Sequence, residues 1–323
     1  MAESSHPSQH TFAGLAPEQV FSLLGNQTRI DIVLALWDAR AHHEYDDIID
    51  AVNTMSFSEL RRSVGMRDKG RFNYHLSKLV PELVRHSDDG YRLSGAGRLI
   101  IRSVLAVNGQ GVSDGSELLD MPCPVCGETL RATYEDQWLS VKCSVCQGLF
   151  GEVVPDGTIY HAPFPAAGLD EHTADNALQT GIYRCMLDMT YLMRKICRDC
   201  ASPTIASLDY CQDHDATDGG VCSTCESRYE VWGDIRCDTC RLAKRLPIEV
   251  CVMALTPVIS FCYERGYDLL SPTIMELESV ETMFETTVTH DPTQVSVSIG
   301  EEDDRIVITL DDELRPIGIE QPT

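Results

Sequence analysis

Fourteen cysteines lie in the chain, and ten of them fall in five C-x-x-C pairs; a sixth pair, Cys211-x-x-His214, replaces one thiolate with an imidazole. Random placement of that many cysteines yields roughly 0.6 such pairs. A C-x-x-C turn presents two thiolates to one ion at about 2.3 Å, and two turns complete a tetrahedron, so the chemistry to expect is zinc ligation. Cys123 and Cys126 are followed after sixteen residues by Cys143 and Cys146, the spacing of a zinc ribbon, with Thr129–Val141 able to cross and return as strands. The second group is Cys197, Cys200, Cys211, His214, Cys222, Cys225, Cys237 and Cys240.

The ligands of that second group are clear and their pairing is not. Sequential pairing joins Cys197/Cys200 to Cys211/His214 and Cys222/Cys225 to Cys237/Cys240. A cross-brace joins Cys197/Cys200 to Cys222/Cys225 and Cys211/His214 to Cys237/Cys240. Each scheme gives one all-thiolate and one mixed site. The seven residues between His214 and Cys222 exceed the tight spacer usual in cross-brace RING domains, which favours sequential pairing. The expectation is three zinc ions per chain. Each has four protein ligands and no open position for water, so all are structural. Cys185, Cys251 and Cys262 lie in apolar stretches and read as core residues.

Reduced cysteines suit a cytoplasmic protein. The opening MAESSHPSQH has neither the basic nor the apolar region of a signal peptide. The longest uncharged apolar stretch, Val250–Tyr263, has 14 residues and is too short to span a bilayer. No partnership with a membrane is expected. The formal charge is −24, only five of 26 basic residues are Lys, and Asp outnumbers Glu by 28 to 22. Such a surface tolerates molar salt, where screening is nearly complete, and reads as that of a halophile's cytosolic protein. Against this background residues 57–102 carry ten basic and five acidic side chains, a basic island that marks a polyanion site.

Local signals give that island a shape. Pro17 opens a helix to Leu24, and a second helix runs from Thr28 to Trp37. Ser56-Phe-Ser-Glu59 is a capping box for a short helix to Val64, and Asp68 caps a helix from Lys69 to Val80. Two apolar segments around Ser87-Asp-Asp-Gly90 read as a hairpin, and Ser94 caps a last helix to Val107. Helix, helix, short helix, turn, helix, wing and helix make a winged helix-turn-helix, whose second motif helix enters the major groove of double-stranded DNA. Its exposed candidates are Arg67, Lys69, Arg71, Asn73, Tyr74, Ser77 and Lys78, with Arg85, His86 and Arg92 on the wing. Arg and Asn suit base edges; Lys and hydroxyls suit phosphates.

The run Leu24-Gly-Asn-Gln-Thr-Arg-Ile-Asp-Ile-Val33 resembles the start of ArsR-type winged-helix regulators. Gly70–Leu79 (GRFNYHLSKL) and Gly90–Gly97 (GYRLSGAG) are similar to haloarchaeal members of that group, and the downstream cysteine pairs resemble the knuckles found C-terminal to the domain in those regulators. The resemblance implies a dimeric DNA-binding transcription regulator. Met55–Val80 contains no Cys, so heavy-metal sensing is not carried over.

The fold class expected is multidomain α+β: a winged helix-turn-helix, then zinc-ribbon-like modules, helices and a small C-terminal antiparallel sheet. The divisions are a disordered tail over 1–14, the DNA-binding domain over 15–107, a Gly/Ser/Asp-rich linker over 108–120, a zinc ribbon over 121–165, a long helix within 166–196, two zinc modules over 197–242 and an αβ region over 243–323. Residues 39–55 read as a polar connection with His42, His43 and a helical turn at Asp47–Val52. In the long helix Leu178, Ile182, Cys185, Met189, Leu192 and Ile196 recur at 4,3,4,3,4 spacing, which suits a core helix more than a dimerising coiled coil. Leu246–Arg265 reads as helix broken at Thr256-Pro257. Strands are expected at Val295–Ile299 and Ile306–Leu310, with a third at Met283–Thr289.

The function this supports is a sequence-specific regulator, a homodimer on double-stranded DNA, with its zinc region open to a protein partner. The competing readings are a RING-like interaction adaptor and a basal transcription factor-like protein. No phosphate-binding glycine loop, G-x-S-x-G or H-E-x-x-H is present, and an enzyme is not expected.

Overall fold

The computed structural model describes residues 17–39, 54–107, 115–151, 154–169, 172–217, 220–301 and 303–321. The tail over 1–14, His42, His43, the turn at Asp47–Val52 and the first part of the linker lie outside them. Among the described residues there are nine α-helices and four antiparallel sheets, a mixed α+β architecture. The chain divides into two compact units, Met1–Asn108 and Gly109–Thr323.

In the first unit the order is α1 (Pro17–Leu24), α2 (Gln27–Asp38), α3 (Phe57–Ser63), α4 (Lys69–Leu79), β1 (Val84–Ser87), β2 (Gly90–Leu93) and α5 (Gly95–Val107). The caps do what their chemistry dictates. Ser56 Oγ accepts from the Glu59 N–H while Glu59 accepts from the Ser56 N–H, and Asp68 accepts from the Arg71 N–H. Ser94 Oγ accepts from the Gly97 N–H at 3.0 Å, starting α5. Ile32, Leu36, Leu60, Phe72, Leu76, Leu79, Leu83 and Ile101 close one core. Gly90, at φ +129°, comes so near Met55 that a Cβ there would lie 2.6 Å from its carbonyl oxygen. That proximity lets Met55 and Tyr91 exchange backbone hydrogen bonds and ties the hairpin to α3.

The second unit begins with a meander of β3 (Gly115–Pro122), β4 (Thr129–Glu135), β5 (Trp138–Cys143) and β6 (Thr158–Pro163). Gly115–Asp120 is therefore strand rather than linker: Glu117 pairs with Ala132 and Leu118 with Arg131. A polar, glycine-containing segment reads as linker by composition, but an edge strand with one exposed face carries the same composition. α6 (Ala174–Leu192) comes next, then a sheet of β7 (Ile205–Tyr210), β8 (Val231–Arg236) and β9 (Ala243–Pro247). α7 (Ile248–Met253), α8 (Thr256–Tyr263) and α9 (Ile274–Glu281) lead to a four-stranded meander: β10 (Phe284–His290), β11 (Thr293–Glu301), β12 (Asp304–Asp311) and β13 (Pro316–Glu320).

The apolar stripe of α6 is core, not coiled coil. Leu178 and Ile182 pack with Leu130, Val141, Ile159 and Phe164 of the first meander. Met186, Met189 and Leu192 pack with α7, α8 and the strands β11 and β12. The helix ends at Leu192, short of the expected Ile196, which is exposed; the intervening Lys195 has φ +61°, outside the helical region.

Candidate metal centres

Three tetrads gather the twelve expected ligands, each with its ligand atoms within 4.8 Å of one another. The first is Cys123, Cys126, Cys143 and Cys146. Cys123 directly succeeds β3 and Cys143 ends β5, so the meander brings the two turns to one edge of the sheet. Cys123 Sγ lies 3.7 Å from Cys146 Sγ and Cys126 Sγ 3.5 Å from Cys143 Sγ. The Cys143 N–H donates to the Gly157 carbonyl at 2.8 Å. Gly157 has φ +78°, and a Cβ there would stand 2.1 Å from the Cys143 oxygen, so this tetrad rests on glycine at that position.

The other two tetrads are Cys197, Cys200, Cys237 and Cys240, and Cys211, His214, Cys222 and Cys225. This is neither the sequential pairing favoured from spacing nor the cross-brace; it is nested. The cause is the antiparallel register of β7 on β8, from Ile205↔Arg236 to Tyr210↔Val231. The first and fourth pairs flank the open end of this hairpin, and the second and third flank its closed end. Sequential or cross-brace pairing would join pairs held at opposite ends of a six-residue strand, about 20 Å apart. The nested order also departs from the cross-brace of a RING.

Four of the turns share one geometry. The N–H of the first Cys donates to the carbonyl five residues on, and its own carbonyl accepts from the N–H four residues on. This holds for Cys123, Cys197, Cys222 and Cys237. The residue at the fourth position is left-handed each time: Gly127 (φ +78°), Ala201 (+60°), Glu226 (+56°) and Arg241 (+66°). The turn leaves backbone N–H groups facing sulfur, as Thr224 N to Cys222 Sγ at 3.3 Å. Asp215 accepts from both the N–H and the hydroxyl of Ser223, at 2.7 and 2.6 Å, and the hydroxyl is the main reason its carboxyl sits low, at about 2. It braces the third tetrad from outside. Ser202 does the same for Cys200, whose thiol its hydroxyl and N–H pull down to about 6.

These dimensions fit a tetrahedral ion. Four sulfurs bonded at about 2.3 Å stand about 3.8 Å apart, and a sulfur and an imidazole nitrogen about 3.6 Å. The sulfur pairs of the second tetrad are at 3.4 and 3.5 Å, and His214 Nδ1 is 3.5 Å from Cys225 Sγ. All exceed the ~2.05 Å of a disulfide bond. The remaining cysteines are separate: Cys251 and Cys262 are buried as expected, and Cys185 is only half-buried.

In the first unit α4 turns Phe72, His75, Leu76 and Leu79 inward and exposes Lys69, Arg71, Asn73, Tyr74, Ser77 and Lys78. Arg67 is exposed in the turn before the helix, where its carbonyl accepts from Arg61 Nη1 at 2.8 Å. Arg85 is exposed on β1 directly opposite the half-buried Arg92 on β2, and His86 stacks on Tyr91 with centroids 4.3 Å apart. Like charges paired across strands repel, so this hairpin is improved by an anion. Burial, with Arg71 and Arg29 nearby, lowers the His75 pKa and keeps it out of the charged set. The Ser77 hydroxyl, exposed on the same helix, donates to the Tyr74 carbonyl at 3.0 Å. Lys78 Nζ sits 5.7 Å over the Tyr74 ring.

One group of carboxylates carries no motif of its own. Glu249, Glu278 and Glu281 meet around Tyr229 in the second unit. The capping box Thr273-Ile-Met-Glu276, both of whose bonds form, is the sequence signal that marks α9 and so locates two of them. Among the described residues no helix is long and apolar enough to cross a membrane.

Residues 17–104 match a family model described as a domain of unknown function (DUF7347). Residues 120–315 match a second, also described as a domain of unknown function (DUF7351). No curated protein and no solved structure matches the chain. With well over half its length covered by one family model that takes in all three tetrads, the chain belongs to the DUF7351 family.

Proposed function

We propose that this chain is a sequence-specific, dimeric DNA-binding transcription regulator of the ArsR-like winged-helix type, with three structural zinc ions in its second unit. The observation that carries the reading is the outward face of α4. Lys69, Arg71, Asn73 and Lys78 are all exposed on it, none engaged in an ion pair with a described carboxylate, in a chain of formal charge −24. In this reading α3 and α4 form the helix-turn-helix, α4 lies in the major groove, and β1–β2 is the wing along the backbone. Arg71 and Asn73 read base edges; Lys78, Arg85 and Arg92 serve phosphates.

Dimerisation draws support from the apolar side chains of the outer helices. Phe21 of α1 is 77% exposed and Leu99 of α5 65%, and Val104 and Val107 of the same helix are exposed as well. Zinc is the ion preferred because thiolate-rich tetrahedra with one imidazole suit it, and four protein ligands make each site structural. In this reading the first tetrad and β3–β5 form a zinc ribbon.

The test is a gel shift at molar KCl with the full, metal-loaded chain on fragments from its own upstream region. A discrete shift that survives unrelated competitor DNA is expected. Absence of a shift on any native promoter at any salt overturns the reading.

A further inference from the structure

Between β6, α6, α7 and α9 the second unit forms a partly open chamber of about 100 Å³ whose wall includes Phe150, Ile159, Ile182, Met186, Val250 and Met253. It adjoins a more open vestibule of about 360 Å³, and the two share Leu149, Tyr229, Glu278 and Glu281. Glu249 and Arg228 also line the vestibule. None of these residues is a tetrad ligand.

The polar side is short of positive charge. Among the described residues three carboxylates line the vestibule and Arg228 is the one guanidinium beside them, its Nη1 donating to the Gly148 carbonyl at 3.1 Å. Tyr229 Oη donates to Glu281 Oε1 at 2.8 Å, and Thr286 Oγ1 donates to Glu249 Oε1 at 2.6 Å. Glu249 Oε2 is buried and has no hydrogen-bond partner among the described residues. Burial raises all three carboxyls, Glu281 to about 7, with Glu249 adding to the shift at Glu281 and Glu230 to that at Glu249. A buried carboxylate oxygen without a donor costs stability, and the apolar wall of the chamber offers dispersion contacts to a ligand of matching shape.

One class of ligand suits both. We propose that the chamber and vestibule bind a small organic cation, a protonated amine or amidine bearing an apolar group about the size of a phenyl ring. The cation sits against Glu249, Glu278 and Glu281, and the apolar group lies between α6 and α9. A dry cavity of about 150 Å³ admits benzene, and a chamber of this size open to a vestibule is on that scale. An anion meets three carboxylates. A bare metal ion gains nothing from the apolar wall, and among the described residues these carboxyls do not gather into a metal-sized cluster. A neutral ligand leaves the carboxylates unmatched. The proposal goes beyond the DNA reading and does not depend on it.

The experiment is isothermal titration calorimetry of the full, metal-loaded chain in high KCl, with 2-phenylethylamine as probe and 2-phenylethanol as its uncharged counterpart. Expected are saturable binding of the amine with Kd of ~1 mM or tighter and about tenfold weaker binding of the alcohol. Glu249→Gln and Glu281→Gln should each weaken the amine about tenfold and leave the alcohol unchanged. The binding enthalpy near pH 7 should also vary with the buffer's ionisation enthalpy, because the cation displaces a proton from Glu281. Metal content reports the integrity of each variant. If a variant loses metal, the amine-to-alcohol ratio and the buffer dependence of the unaltered chain decide alone. No binding of the amine, equal affinity for amine and alcohol, or intact variants that bind the amine normally overturns the proposal.

Discussion

Cys197 Sγ and Cys240 Sγ lie 3.4 Å apart across 43 positions of sequence, because β7 and β8 run antiparallel and return the chain to where it started. The consequence is a mutant phenotype that the other two pairings do not share. Cys197→Ser should expose Cys200, Cys237 and Cys240 to alkylation and leave Cys211, Cys222 and Cys225 protected, since thiolates released from an ion become reactive. Mass-spectrometric thiol footprinting of that mutant reads this directly. Sequential pairing would expose Cys211, and a cross-brace would expose Cys222 and Cys225.

Metal content is the second expectation. Native mass spectrometry after gentle desalting should find three zinc ions per chain. Gly157→Ala should lower the occupancy of the first tetrad alone, because the new methyl group meets the Cys143 carbonyl in a backbone conformation that alanine resists. A full complement of three in this mutant would show that the close approach is not needed.

On DNA, Arg71→Ala should cost ~1–3 kcal/mol and relax specificity at one position in each half-site, whereas Lys78→Ala should weaken all sequences about equally. Binding should persist at molar KCl with a shallow salt dependence, because the acidic remainder of the chain repels DNA most at low salt. Titrations across KCl concentrations measure both. A steep salt dependence with equal loss in the two mutants would place the affinity in phosphate contacts instead.

Glu281 predicts a dependence on pH. Its carboxyl is raised in the folded chain to about 7, so the folded state holds the proton more tightly than the unfolded one. Such a group's contribution is fully present below the ordinary glutamate range and is lost as pH rises through about 7. Glu281→Gln keeps an oxygen to accept from Tyr229 and removes the charge. Its urea midpoint should gain on that of the unaltered chain as pH rises from 6 to 8, by about 1 kcal/mol of stability. A constant difference across that range would mean the carboxyl is not held protonated.

Much of the first unit is legible in the sequence because its signals are local. Ser56 with Glu59, Asp68 before Lys69 and the Asp-Gly turn before Tyr91 each act within four residues, and they suffice to place the helices and the hairpin. The twelve ligands are legible for the same reason, since a C-x-x-C turn is complete in itself. Their pairing is not, because it is set by β7 and β8, whose segments IASLDY and VWGDIR alternate too weakly to announce a hairpin between cysteine pairs. β3 is hidden in the same way: Gly115–Asp120 has a linker's composition, and only its ladder with β4 makes it a strand. The carboxylates around Tyr229 come from α7 and α9, distant in sequence, and acidic residues in so acidic a chain carry no signal until burial singles them out.

The nested tetrads also favour an order of assembly, were each to take an ion. His214 and Cys225 are 11 positions apart and Cys197 and Cys240 are 43, so closing the inner loop costs about 1 kcal/mol less in chain entropy than closing the outer one from the open chain. Once the inner ion is in place, β7 and β8 can zip from the closed end, and the outer pairs arrive already neighbours. If both tetrads take an ion, loading would then proceed inner first and unloading outer first. A chelator or oxidant would strip the Cys197–Cys240 end while the hairpin remains pinned at its tip, ready to take the lost ion back.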